Sequence, residues 1–354
     1  MRRLIKILLG VIVVIFGLLV AAGFATTSGE HDYAEMTENQ TVSARAYLAE
    51  AQTPLPEGAV FGRFEREPGV ALETLTLPHP DPKATIVLVP GYTAPLEVYA
   101  STYKAFHDAG YAVTGLSQRG QGRSWRPVPN PEKGYVEDYR DLSADLAAFV
   151  GTIEGPVLVY GNSMGGHIAM VMAGTEDVDI GAYALLVPMA KIHTGEFPYG
   201  VAKAMTGFYS AIGFGANYGF GRGDWTFASR DQSQPTDCSA NPARAHTRHM
   251  MVGLDPKLRV SDVTNKYVWE MMKSTEMAAS SDHLAGITAP VLSVTAGDDR
   301  IVQTGAAEAN CKAMPNCRTK RFEAARHCIM HEGEAQKDAV HAEIIALFDS
   351  VSVK

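Results

Sequence analysis

Short apolar runs alternate with longer stretches of helical spacing along most of this chain, and the rhythm predicts an architecture before any single residue is considered. Runs at 85–89, 112–116, 157–160, 182–187, 291–295 and 318–322 read as strands. Between and after them, 95–109, 136–150, 164–173, 304–313 and 334–348 carry apolar residues on one helical face. Strand and helix in alternation predict an α/β fold, because parallel neighbours need crossover connections and the helices in those connections cover both sheet faces. Ahead of this pattern, 59–66 and 70–77 alternate apolar and polar residues around Glu67-Pro68-Gly69, which predicts an antiparallel hairpin. From 190 to 285 the rhythm stops. That stretch is rich in Gly, Met and aromatic residues, notably at 208–220 and 269–272, and predicts a helical lid inserted into a core made of 58–189 and 286–354. Residues 26–57, polar and dotted with proline, read as a tether with one helix around 44–51.

The amino terminus has its own pattern. Residues 7–25 contain no charge, a length that suits a bilayer span, and follow Arg2, Arg3 and Lys6. The basic flank favours the cytoplasmic side, and Glu30, Asp32, Glu35 and Glu38 follow on the other. The expectation is an inner-membrane anchor with the catalytic body on the periplasmic or extracytoplasmic side. The alternative is secretion after cleavage near Ala21-Ala22-Gly23-Phe24-Ala25, whose small residues suit a signal peptidase.

Composition narrows the class. With 46% hydrophobic and 20% charged residues, the 354-residue chain is ordinary for a globular protein. A net charge of −8 and the lack of a Lys/Arg cluster interleaved with aromatics argue against a nucleic-acid partner. Among the four cysteines, Cys311 and Cys317 flank a short loop that a disulfide can close, whereas Cys238 and Cys328 have no obvious partner. No CxxC pair or His/Cys cluster at ligand spacing points to a metal.

Candidate chemistry centres on Gly161-Asn162-Ser163-Met164-Gly165-Gly166, directly after an apolar strand and at the start of a helix. In a G-x-S-x-G elbow the glycines Gly161 and Gly165 permit a tight turn and close packing, so Ser163 projects from the sheet edge as a nucleophile. A serine hydroxyl needs a base, and the base an orienting carboxylate. Asp298-Asp299 follows the strand at 291–295, and His327 follows the strand at 318–322. The D-x-x-V spacing of Asp299 to Val302 favours Asp299 over Asp298 as the acid, with His327 as the base. Two backbone amides, those of Met164 and of Tyr92 in the loop Pro90-Gly91-Tyr92-Thr93, are the candidate oxyanion donors. Such a set supplies its own nucleophile and base, so no cofactor is expected. His167, His246 and His249 read as packing or surface residues, His331 as a helix-surface histidine, and 119–124 as a structural loop near the site mouth.

Taken together, Val89-Pro90-Gly91-Tyr92, Arg119-Gly120-Gln121-Gly122-Arg123-Ser124, the Asp-Tyr-x-x-Asp-Leu pattern within 134–150, the elbow, 297–302 and Ala325-Arg326-His327 resemble the bacterial lysophospholipase and monoacylglycerol-lipase-like α/β-hydrolases. Asn241-Pro242-Ala243-Arg244 and Asp255-Pro256-Lys257-Leu258-Arg259 resemble that family's lid, and the likeness spans roughly 55–350. It implies a serine hydrolase acting on carboxylic esters of amphiphilic lipids, lysophospholipid or monoacylglycerol, through an acyl-enzyme. Three positions depart from the pattern: Pro90 replaces a frequent His, Ser117-Gln118 an acidic-aromatic or Asp-His pair, and Cys328 a Glu after the histidine. A serine aminopeptidase-like peptidase on the same fold and a non-catalytic anchored binding protein are the alternatives.

Overall fold

The computed structural model describes residues 17–18, 31–195 and 197–352. One eight-stranded sheet runs through it, in the order β1-β2-β4-β3-β5-β6-β7-β8, with β1 Val60–Glu67, β2 Val70–Leu77, β3 Thr85–Val89, β4 Ala112–Leu116, β5 Val157–Asn162, β6 Tyr183–Leu186, β7 Val291–Ala296 and β8 Cys317–Phe322. The hairpin β1-β2 and the pairing of β2 with β4 are antiparallel. Every pairing from β4 through β3, β5, β6 and β7 to β8 is parallel. This is the α/β fold that the apolar rhythm predicts.

Successive side chains of a strand face opposite sides, and the central strands are apolar on both. Val87, Val89, Val157 and Val159 enter one core with Leu142, Leu146, Ile168 and Met172, from the helices Arg140–Val150 and Met164–Thr175. Ile86, Leu88, Leu158 and Tyr160 enter the other with Phe106, Ile344 and Phe348, from Ala100–Asp108 and Glu334–Val351. The edge strand β8 carries Arg318, Lys320 and Arg321, charges that discourage pairing with a further strand.

Between β6 and β7 the chain forms several helices, among them Tyr199–Tyr209, Thr247–Leu254 and Asn265–Ala278. The helix Glu38–Ala51 starts at a capping box on Thr37 and Gln40 and packs against this segment. Its Tyr47 hydroxyl donates to the carbonyl of Pro242 at 2.9 Å and accepts from the amide of His246 at 3.0 Å.

Two sequence expectations are corrected. The apolar stretch 7–25 lies outside the described residues except at 17 and 18, and among the described residues no helix is long and apolar enough to cross a membrane. The transmembrane helix, the membrane contact through it and the inner-membrane location are withdrawn on that finding. The 18-residue helix Glu334–Val351 is long enough but carries Glu334, Lys337, Asp338, Glu343 and Asp349, more charge than a bilayer span holds. The second correction concerns cysteine. Cys311 pairs with Cys317, and Cys238 and Cys328 pair with each other across 90 residues of sequence, so no described cysteine is free.

The elbow depends on close packing. A Cβ on Gly165 would stand 2.1 Å from the Val89 carbonyl oxygen, and one on Gly161 would stand 2.7 Å from that of Gly165. Both contacts are with backbone, which has little room to yield. Gly165→Ala is therefore expected to lower stability by about 2 to 3 kcal/mol, read as a lower urea midpoint at unchanged slope. A midpoint equal to that of the parent would refute the packing argument.

Candidate active site

The candidate residues gather at the carboxyl ends of the parallel strands, where loops are free to present side chains. Ser163 follows β5 at φ 51°, a left-handed conformation that a serine adopts only when its surroundings enforce it. Its amide donates to Leu186 at 2.8 Å, and its carbonyl accepts from His167 and Met189, each at 3.0 Å. Backbone bonds on both sides thus hold the turn.

Asp299 follows β7 and His327 follows β8. His327 Nδ1 lies 2.8 Å from Asp299 Oδ2, and Nε2 lies 2.8 Å from Ser163 Oγ. A carboxylate only accepts, so Nδ1 carries the proton and Nε2 is left to accept from the serine hydroxyl. Asp299 Oδ1 accepts the amides of Ile301 and Val302, both at 2.9 Å, which aims Oδ2 at the imidazole. All three side chains are nearly closed to solvent, with Ser163 9% and His327 6% exposed and the Asp299 side chain at 1%. Asp298 points the other way, onto Arg300 and Arg326.

The loop after β3 reaches the same place. An added Cβ on Gly91 would sit 3.4 Å from the Cβ of Ser163. The Tyr99 hydroxyl accepts from the Gly91 amide at 2.9 Å and donates to Asn162 Oδ1 at 3.0 Å, while Gln121 Oε1 accepts from the Thr93 amide at 2.7 Å. Thr93 is held at φ 63° by these bonds. Burial pushes the Tyr99 hydroxyl up to about 12, so it stays a neutral donor. Tyr92 packs its ring against the buried Tyr267, whose hydroxyl meets the sulfur of Met164 at 2.9 Å. Met164 opens its helix, where first-turn amides have no intrahelical acceptor. The two amides expected as oxyanion donors thus lie on segments that adjoin Ser163.

Sequence reasoning did not find Tyr99, Gln121 or the partner of Cys328. Their signal is three-dimensional: each acts through a contact between distant segments. The disulfide from Cys328 reaches Cys238 in the segment between β6 and β7, next to His327 in the chain. Above Ser163 lies a cavity of about 450 Å³, lined by that segment, by Gly91 and Tyr92 and by His327.

Sequence comparison gives the family of the chain. The sequence model of the serine aminopeptidase S33 family matches residues 80–334. The chain belongs to that family. Among curated relatives, it is 26% identical to lysophospholipase L2 of Escherichia coli K12 over 281 residues, 75% of this chain and 80% of that protein. It is 33% identical to a monoacylglycerol lipase of Mycolicibacterium smegmatis over 129 residues, 36% of this chain and 45% of the other. Its fold matches monoglyceride lipase from Saccharomyces cerevisiae with a TM-score of 0.68 at 17% identity, covering 86% of this chain and 98% of that one. A carboxyl esterase from Bacillus coagulans follows at a TM-score of 0.65 and 16% identity, covering 84% and 100%. Within the S33 family this chain is thus a lipase- and lysophospholipase-like α/β-hydrolase.

Several histidines of this S33 member are buried and uncharged at neutral pH. Burial pulls His249 and His331, both at the cavity, down to about 4, and does the same to His341; it pulls His167 to about 3. His167 bonds Ser274 at 2.7 Å and His341 bonds Thr102 at 3.2 Å. His331, expected on a helix surface, instead faces the carbonyl of Arg244 at 3.1 Å. The unfolded chain protonates such groups near pH 6.5 and the folded chain only near 4, so acidification favours the unfolded state. Stability is expected to be full above about pH 6.5 and to fall toward about pH 4, by up to about 1 kcal/mol per pH unit for each histidine. Urea midpoints at pH 7 and pH 5 check this, and His341→Gln is expected to flatten the slope.

Proposed function

We propose that this protein is a serine hydrolase that cleaves carboxylic esters of amphiphilic lipids, lysophospholipid or monoacylglycerol, through an acyl-enzyme. The observation that carries the reading is the unbroken chain of hydrogen bonds from Asp299 through His327 to Ser163. In this mechanism Ser163 Oγ attacks the ester carbonyl as His327 Nε2 takes its proton, and Asp299 stabilises the imidazolium. The resulting oxyanion accepts from the amides of Tyr92 and Met164. As the intermediate collapses, His327 returns the proton to the departing alcohol. A water then attacks the acyl-serine with His327 again as base, freeing the fatty acid and restoring the hydroxyl.

The cavity supports an amphiphilic ester. It offers apolar side chains, Val98, Ile301, Ile329 and Met330 among them, beside polar ones. The segment between β6 and β7, which forms much of its wall, would serve as a lid. The names of the relatives, lysophospholipase and monoacylglycerol lipase, favour the same class. The family's title raises a peptidase reading, which needs a carboxylate to hold the substrate's amine. Against it, among the described residues only two acids, Asp237 and Asp262, line the cavity beside five arginines, and Asp262 already faces Arg222.

Ser163→Ala is expected to reduce hydrolysis of p-nitrophenyl octanoate by about 10⁴-fold or more and to abolish labelling by a fluorophosphonate. Asp299→Asn is expected to cost about 10³- to 10⁴-fold in kcat with little change in KM, because the imidazole loses the partner that sets its tautomer. Parent-like turnover in Ser163→Ala would end the proposal, and labelling that persists there would relocate the nucleophile.

A further inference from the structure

The cavity wall is cationic in a chain whose net charge is −8. Six lysine and arginine residues line it, and four have carboxylate partners: Arg222 with Asp262, Arg244 with Glu334, Arg300 with Asp298 and Lys337 with Glu334. Arg230 and Arg248 have none among the described residues. Arg248, from the helix Thr247–Leu254, is only half-exposed, and among the described residues its one side-chain hydrogen bond runs from Nη1 to the carbonyl of Tyr92 at 3.3 Å. A guanidinium has five N–H donors, so most of this one's capacity faces the cavity unspent.

Position sharpens the point. The Tyr92 carbonyl that accepts from Arg248 belongs to the loop packed on Ser163. Burial pushes Arg248 down to about 10, still charged at neutral pH, and the charge of Arg230 acts on it in the same direction. Two like charges share one wall, while His249 and His331 beside them are neutral. A guanidinium without a carboxylate partner that opens onto a cavity leaves its charge and its planar N–H donors available to an anionic ligand. Arginine also matches the paired oxygens of a phosphate better than any other side chain.

We infer that Arg248, supported by Arg230, is a specificity-determining residue that binds the phosphate of the substrate's head group, making phosphorylated monoacyl esters the preferred class over neutral ones. The inference rests on the reading of Ser163 as nucleophile for amphiphilic esters, and the phosphate it selects is carried on the alcohol side of the ester.

The test measures binding without turnover, on the full chain with Ser163→Ala. Calorimetry compares 1-O-octylglycerol 3-phosphate with 1-O-octylglycerol, ethers that differ only in the phosphate. The phosphate ether is expected to bind about tenfold or more tightly, Arg248→Gln to bring the ratio near one, and Arg248→Lys to recover part of it. Equal affinity for the two ethers would overturn the inference, as would a preference that survives Arg248→Gln. Octanoate that displaces the phosphate ether at equal concentration would assign the pair to the product carboxylate and overturn it too. Should Arg248→Gln not fold by thermal melting, Arg230→Gln carries the same comparison, with a reduced ratio expected and an unchanged one decisive against. Turnover of p-nitrophenyl octanoate by the parent tests the hydrolase reading separately. Selective binding with no ester cleavage would remove that reading and keep the phosphate site, and cleavage with no selectivity would do the reverse.

Discussion

The contact on which the site depends is the approach of the helix Met164–Thr175 to the end of β3, with no side chain between them. Gly165 lies so near the Val89 carbonyl that a methyl group does not fit, and Gly161 is as tightly set against Gly165 and Gly166. This closeness makes the turn sharp enough to hold Ser163 at positive φ. It also brings the loop after β3 beside the serine, because the loop begins where β3 ends. A looser packing would move the candidate nucleophile and the amide donors apart together. Precision here comes from what is missing at two positions.

A second layer of constraint keeps flexible loops in register with that rigid centre. Tyr99 and Gln121 hold the loop of Gly91 and Thr93 from two sides. Asp299 is fixed by two amides of its own loop before it meets His327. The disulfide of Cys328 with Cys238 ties the histidine loop to the segment between β6 and β7, and Tyr47 braces that segment from the helix Glu38–Ala51. Each device spends few atoms, and each joins parts of the chain far apart in sequence. Ordering the site therefore requires the whole core to be in place.

The same distinction explains what could be read in advance. Strands at 85–89 and 112–116 and the helix at 304–313 match the observed bounds, since a buried apolar run leaves a local signature. That Ser163, Asp299 and His327 come together was legible too, because strand ends fix where and in what order such loops meet. At 190–285 the sequence predicts a helical lid but no helix bounds, because the short helices are held by contacts with the core and have no strong period of their own. The Cys238–Cys328 pairing was not legible, since connectivity across 90 residues is set by the fold and not by spacing. Residues 7–25 show the opposite failure. A local apolar run was legible as a bilayer span, and the described helices contain none.

Charge shows why a site must be read from its own wall and not from the chain's total. A net charge of −8 bears on partners that meet the outer surface, where long-range fields and solvent average many groups. It carries no information about a cavity whose lining is chosen residue by residue. Most of the arginines there are paired with carboxylates on or behind the wall, so their presence alone says little. The informative residues are those left over after pairing. Arg248 is such a remainder, and its one bond, to the carbonyl of Tyr92, sets it one residue from the glycine that packs against Ser163. Local imbalance next to the candidate nucleophile, in a chain of opposite overall sign, bears on the proposed substrate in a way that neither the fold nor the hydrogen-bonded Ser163, His327 and Asp299 do.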